Sequence, residues 1–254
     1  MRKKTICIAV CLIVLFSIHT AFAMSKKVKI IEGGEIDMFG MIKGNGEIIS
    51  SELSLSEFDG IESSGYATIQ YFVSDEYRAV ISIDSNLMDL TNVHVKNNKL
   101  NISMKKSIYN YKNFQVDVYS PTLSSVSISG AGDFTSEDTI TATDFNLSIS
   151  GAGNASLVLD CQNVDASISG AGNLSLSGKA DKMSVKQSGA GNLKSKDMIV
   201  KDLTTSISGA GNAEVHATES LNAKVSGVGK IKYHGNPTVI NTNVSGVGSI
   251  KKAK

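Results

Sequence analysis

Phe145-Asn146-Leu147-Ser148-Ile149-Ser150-Gly151-Ala152-Gly153-Asn154 is the stretch that decides the fold. Apolar Phe145, Leu147 and Ile149 alternate with polar Asn146, Ser148 and Ser150. A period of two turns one face of a strand to a core and the other to water. The alternation ends at a Gly-x-Gly corner, and the corner recurs: SG[AV]G begins at Ser129, Ser150, Ser169, Ser188, Ser208, Ser226 and Ser245. The starts are 21, 19, 19, 20, 18 and 19 residues apart. A period near twenty without helical patterning marks stacked rungs, each burying its apolar face against the next.

The flanks repeat as well. Val164 to Ser169, Leu203 to Ser208 and Leu221 to Ser226 alternate on the approach to a corner. Beyond it, Leu174 and Leu176, Val215 and Ala217, and Ile231 and Tyr233 alternate again. Each unit therefore reads as strand, glycine corner, strand and polar turn. Glycine suits a bend that demands positive φ, and the residue between the glycines (Ala131, Ala152, Ala171, Ala190, Ala210, Val228, Val247) is expected to point inward. Rungs stacked at ~4.8 Å pile like on like. Leu203, Leu221 and Ile240 then form one internal column, and Ile149, Ile168, Ile207, Val225 and Val244 a second. Asn154, Asn173, Asn192 and Asn212 form an external column of amides able to bond one another. Gln187 interrupts the second column, as a buried amide bonded to its neighbours or a local bulge.

The N-terminus carries Arg2-Lys3-Lys4, an apolar run from Ile6 to Ile18 and Ala21-Phe22-Ala23. These are the parts of a secretory signal peptide cut before Met24. Its removal takes three positive charges from a formal +1 and leaves −2. Arg78 is then the one arginine, so nucleic-acid binding loses its electrostatic footing. Of three cysteines only Cys161 remains, which excludes an internal disulfide and makes packing and hydrogen bonds carry the stack. No later stretch is long and apolar enough to cross a membrane as a helix.

The chain divides into residues 1–23, the signal peptide; 24–45, a leader or edge strand; 46–120, an irregular N-terminal β part; and 121–254, the regular repeats. Within the irregular part, Phe58 to Tyr71 contains a Ser-Gly corner and reads as an early rung. Strand runs follow at Tyr77 to Asp84, Leu100 to Met104 and Phe114 to Tyr119, with a helical turn expected at Asn86 to Leu90. This part caps the solenoid, whose ends need atypical units.

Candidate chemistry is sparse. Asp133, Asp144, Asp160, Asp165, Asp181 and Asp202 fall at different offsets from the corner, so stacking is not expected to gather them into a carboxylate pair. Gly130-Ala131-Gly132-Asp133 has the form of a calcium β-roll motif, but that motif recurs every nine residues and Asp133 stands alone at its offset. His94, His216 and His234 share no zinc-ligand spacing and read as surface or strand residues. Cys161 reads as an inert core or turn residue. The Ser/Thr/Asn-rich faces could meet a glycan, with Tyr66, Tyr71, Tyr109 and Tyr111 as stacking surfaces or as cap packing.

The order of FDGI-x5-A at Phe58, an L-x-I strand at Leu100, Pro121 opening a run of SGAGN units, and GNP at Gly235 before a final SGVGS resembles the GIN-type head domain of the putative auto-transporter adhesins. The likeness covers about residues 45–252. It implies an all-β, right-handed parallel β-helix, a bacterial envelope protein and an adhesive role, and it supplies no catalytic, cofactor or metal residues. The sequence thus leads to an exported, non-enzymatic recognition or structural protein, at the periplasm, the outer-membrane surface or outside the cell. Its expected partner is a glycan or another cell-surface component. The rival reading is a polysaccharide lyase or hydrolase on a β-helix scaffold.

Overall fold

The computed structural model describes residues 40–253. The expected signal peptide and the leader up to residue 39 lie outside the described residues. The irregular part contributes β1 (Ile42–Lys43), β2 (Ile48–Ser54), β3 (Gly60–Gly65), β4 (Thr68–Val73) and β5 (Arg78–Asp84). A 3-10 helix follows at Ser85–Leu90, where the sequence predicts a helical turn. Then come β6 (Thr91–Lys96), β7 (Lys99–Met104), β8 (Ile108–Tyr109), β9 (Phe114–Ser120) and β10 (Ser125–Gly130). The regular part is β11 (Asp133–Gly151), β12 (Ala155–Gly170), β13 (Leu174–Gly189), β14 (Asn192–Ile207), β15 (Asn212–Val225), β16 (Lys230–His234), β17 (Val239–Val244) and β18 (Ser249–Lys252).

From β10 onward every pairing is parallel, and successive corners lie in register: Ser150-Gly151 sits on Ser129-Gly130 and beneath Ser169-Gly170. The chain is a parallel β-solenoid of about seven turns. Ser64-Gly65 aligns with Ser129-Gly130, and β3 and β4 lie in parallel on β7 and β9 on the other side, which makes the stretch after Phe58 an early rung. The predicted columns are present. Ile128, Ile149, Ile168, Gln187, Ile207, Val225 and Val244 are consecutive partners, as are Leu203, Leu221 and Ile240. All are buried except at the last rung, where Ile240 and Val244 are 46% and 43% exposed.

Three local expectations are corrected. First, the residue between the glycines points outward: Ala131, Ala152, Ala171, Ala190 and Ala210 are exposed, and Val228 and Val247 are 63% and 84% exposed. It is the second glycine that faces the interior. Second, positive φ explains only part of the glycine requirement. Gly151 has φ +130°, whereas Gly172 lies outside that region and is needed for another reason. A Cβ on Gly172 would overlap the carbonyl oxygen of Gly153 and sit 2.8 Å from Ile149 Cγ2. Third, the polar turn is a third strand. Ile140, Leu159, Cys161, Ala180, Met198 and Val200 are buried there, in a stretch bounded by register shifts such as Thr135/Thr139 and Ser195/Ile199.

The N-terminal end departs from the repeat by turning antiparallel, with β2 on β5, β5 on β9, and β6 on β7. Asp84, fully buried at the end of β5, accepts backbone N–H bonds from Gly46 (2.5 Å), Lys112 (2.9 Å) and Asn113 (3.3 Å). Burial pushes its carboxyl upward, but the backbone donors outweigh it and hold the pKa below the ordinary value. Tyr71 fixes the join to the solenoid. Its ring stacks on Phe134 at 6.4 Å, and its hydroxyl donates to Ser120 O at 3.0 Å.

Candidate ligand-binding faces

Stacking puts side chains of like offset into rows along the solenoid, so any site here is built from rows. The asparagine row is closed upon itself. Asn173 Nδ2 donates to Asn154 Oδ1 (2.9 Å), Asn192 Nδ2 to Asn173 Oδ1 (3.0 Å) and Asn212 Nδ2 to Asn192 Oδ1 (3.3 Å). The backbone N–H of Asn173 and of Asn192 donate to the same oxygens, each at 3.2 Å. The amide oxygens of Asn154 and Asn173 therefore take two bonds each and that of Asn192 takes one, and the row is a structural element. Asp133 begins it, accepting from Asn154 Nδ2 at 2.8 Å and Asn154 N at 3.1 Å. A carboxylate serves at that position because only acceptors are wanted there.

Two shallow grooves cross the rungs. The larger, about 800 Å³, runs over the third strand and is lined by Asp160, Lys179, Asp181, Lys201 and Glu219, with Cys161 in its wall. Of the six aspartates considered from the sequence only Asp160 and Asp181 line this groove, and in register Asp160 meets Lys179 rather than another carboxylate. Lysines answer them: Lys179 Nζ lies 3.1 Å from Asp160 and Lys201 Nζ 2.6 Å from Asp181. The hydrogen bond from Lys201 to Asp181 raises the lysine pKa above its ordinary value. Each of these two aspartates is thus held in an ion pair with a lysine of the next rung rather than facing a second carboxyl.

The second groove, about 500 Å³, crosses the face that precedes the corner. Its floor is a lattice of Ser127, Ser148 and Ser167 beside Asn146, Asp165 and Ser184. These rows are in strict register, Ser127 to Ser148 to Ser167 and Asn146 to Asp165 to Ser184. None of the six side chains hydrogen-bonds another group among the described residues, in contrast to the asparagine row. A Lys99–Glu62 ion pair at 2.6 Å flanks the groove toward the N-terminal end, and Lys186 lies on its C-terminal side.

The remaining candidates are dispersed. Cys161 is buried with its thiol pKa raised by burial, which suits the inert reading. His216 and His234, read from sequence as unrelated, are register partners with ring centroids 6.3 Å apart. Their separation of 18 residues is one rung, and that was the signal available. His234 Nε2 and Lys232 Nζ meet Glu214 at 2.8 and 3.1 Å, and the His234 contact leads in lowering the Glu214 pKa. Among the described residues no group of three His, Cys, Asp or Glu side chains is arranged to hold a metal ion. Tyr71 is 1% exposed and cannot offer its ring to a ligand, whereas Tyr66 is 56% exposed. Gln187 is 2% exposed, donates through Nε2 to Gly191 O, and leaves Oε1 without a partner.

A seven-turn parallel solenoid, ending on its N-terminal side in antiparallel strands and carrying rows of small polar side chains, is the class of protein these features define. The chain belongs to the family described as "Putative auto-transporter adhesin, head GIN domain", whose model matches residues 57–237. Among solved structures, it is similar to an adhesin of Bacteroides fragilis described as putative, with 30% identity and a TM-score of 0.79, over 84% of this chain and all of that one. A protein of Parabacteroides distasonis described as a putative lipid binding protein is 25% identical with a TM-score of 0.70, over 84% of this chain and all of that one. An adhesin of Parabacteroides merdae, also described as putative, shares the fold at 22% identity and a TM-score of 0.68, over 84% of this chain and 99% of that one. No curated protein matches the chain. The family and the Bacteroides fragilis relative support an adhesin-like role, and no described helix is long and apolar enough to cross a membrane.

Proposed function

We propose that the chain is an exported, non-catalytic envelope protein that binds a polyhydroxylated polymer, a glycan strand, along the serine groove. The observation that carries this is the contrast between rows. The asparagine row and the Asp160–Lys179 and Asp181–Lys201 pairs of the charged groove bond internally, while Ser127, Ser148, Ser167, Asn146, Asp165 and Ser184 keep their polar groups for a ligand. Hydroxyls and carboxamides both donate and accept, as sugar hydroxyls do. Their repetition at ~4.8 Å suits a chain lying along the stack rather than a single compact molecule. Export rests on the signal-peptide pattern of residues 1–23 and on the family.

Binding to immobilised bacterial and host polysaccharides tests this. Ser148→Arg, which fills the groove, is expected to abolish binding that Lys179→Ala in the other groove leaves intact. Equal binding by both variants would remove the serine groove from the proposal. Turnover of a bound polysaccharide, lost on replacing a single aspartate, would replace the binding reading by the hydrolase or lyase one.

A further inference from the structure

We infer that the two ends of the solenoid are made for each other, so that copies of this chain associate head to tail into an open filament. One continuous sheet joins the ends, running β2-β5-β9-β4 and then through β11 to β16 and β18. Two of its pairings are antiparallel, β2 with β5 and β5 with β9, and the others are parallel. Two reversals cancel, so β2 runs in the same direction as β18. A second copy stacked on the first would bring β18 beside β2 as one more parallel pair.

The register of that pair can be read. Following Cα partners from Lys251 through Glu214, Ser156, Gln70 and Val80 ends on Glu52. A cation and an anion thus occupy the same column at opposite ends of one molecule. On the face before the corner the column of Val244 ends on Val93 of β6, and the single antiparallel pairing on that path, β6 with β7, makes β17 of one copy meet β6 of the next as an antiparallel pair. Both ends are open among the described residues. β2 pairs only with β5 and β18 only with β16; Ile48 and Ile49 of β2 are 39% and 42% exposed, and at the other end Ile240 and Val244 of β17 are 46% and 43% exposed. Unpaired strand edges beside exposed apolar side chains are a template for a further strand. The contact is heterologous, because one end meets the other, and repetition of such a contact without a closing rotation gives a filament.

Sedimentation velocity and negative-stain microscopy of the mature chain, residues 24–254, across a concentration series test the inference. The expected result is mass that rises without stopping at the dimer, with unbranched filaments. Lys251→Glu and Glu52→Lys should each weaken association about tenfold at low salt, since each sets like charges against each other. The double variant Lys251→Glu/Glu52→Lys should restore it, which a merely misfolded single variant would not allow. A monomer at every concentration overturns the inference, whether the lysines guard the edge or residues 24–39 of the same chain cover it. So does a dimer that grows no further, or failure of the double variant to recover.

Discussion

Asn173 stands directly above Asn154, its Nδ2 giving a hydrogen bond to Asn154 Oδ1 at 2.9 Å and its backbone N–H a second to the same atom at 3.2 Å. Its neighbour Gly172 faces the interior, with no room for a Cβ against Gly153 and Ile149. Adjacent residues thus hold the stack by different means, one by bonding along it and one by letting backbones approach.

That difference orders two variants. Asn173→Ser loses exposed bonds and should cost about 1 kcal/mol. Gly172→Val forces the rungs apart and should cost about 3 kcal/mol or more. Thermal melts read this directly, and equal melting temperatures would refute the close-approach account.

Asp84 gives a pH prediction. Its folded-state pKa is lowered, so its contribution is present above the ordinary carboxylate pKa and fades as pH falls through the lower folded value. Asp84→Asn should destabilise the N-terminal end by about 3 kcal/mol at neutral pH, by replacing a charged acceptor of three backbone bonds. Denaturant midpoints of wild type and variant should converge as the pH is lowered. A constant gap through that window would show that the ionised carboxylate is not what matters.

Gln187→Ile should stabilise the chain by about 1 kcal/mol. The substitution continues the isoleucine column and removes a buried oxygen that has no partner. Gly191 O loses a donor, but the neighbouring rungs pair isoleucine with the equivalent glycine in Ile149 and Gly153, and in Ile168 and Gly172. A lower denaturant midpoint would mean that the amide stabilises its rung after all.

Cys161 should resist thiol reagents in the folded protein of residues 24–254 and react fully in denaturant. Burial both shields the sulfur and raises its pKa, so little reactive thiolate is present. Rapid labelling of the folded protein would contradict the core assignment.

The parts of this fold visible in the sequence are those that translation along the stack repeats. The corner, the Ile149 column and the asparagine row each recur at rung spacing, and pairing in register preserves every offset. The third strand was hidden because Thr139-Ile140-Thr141-Ala142 sets only two small or apolar residues among polar ones, and register shifts at its edges break the count. The antiparallel arrangement of β2, β5 and β9 could not be read either, since strands far apart in sequence meet there without any repeat to announce them. The serine rows were legible, at Ser127, Ser148 and Ser167. What the sequence withheld was that their hydroxyls, unlike the asparagine amides, bond no neighbour.

The asparagine row also has an electrical sense. Every amide in it is turned the same way, N–H toward Asp133 and oxygen toward the rung of Lys230, the register partner of Asn212. Aligned dipoles add, as they do along a helix, and they favour an anion at the N–H end and a cation at the oxygen end. The chain supplies both, aspartate where the row starts and lysine where it stops. Exchanging these two residues would set both charges against the field of the column while leaving composition and net charge unchanged.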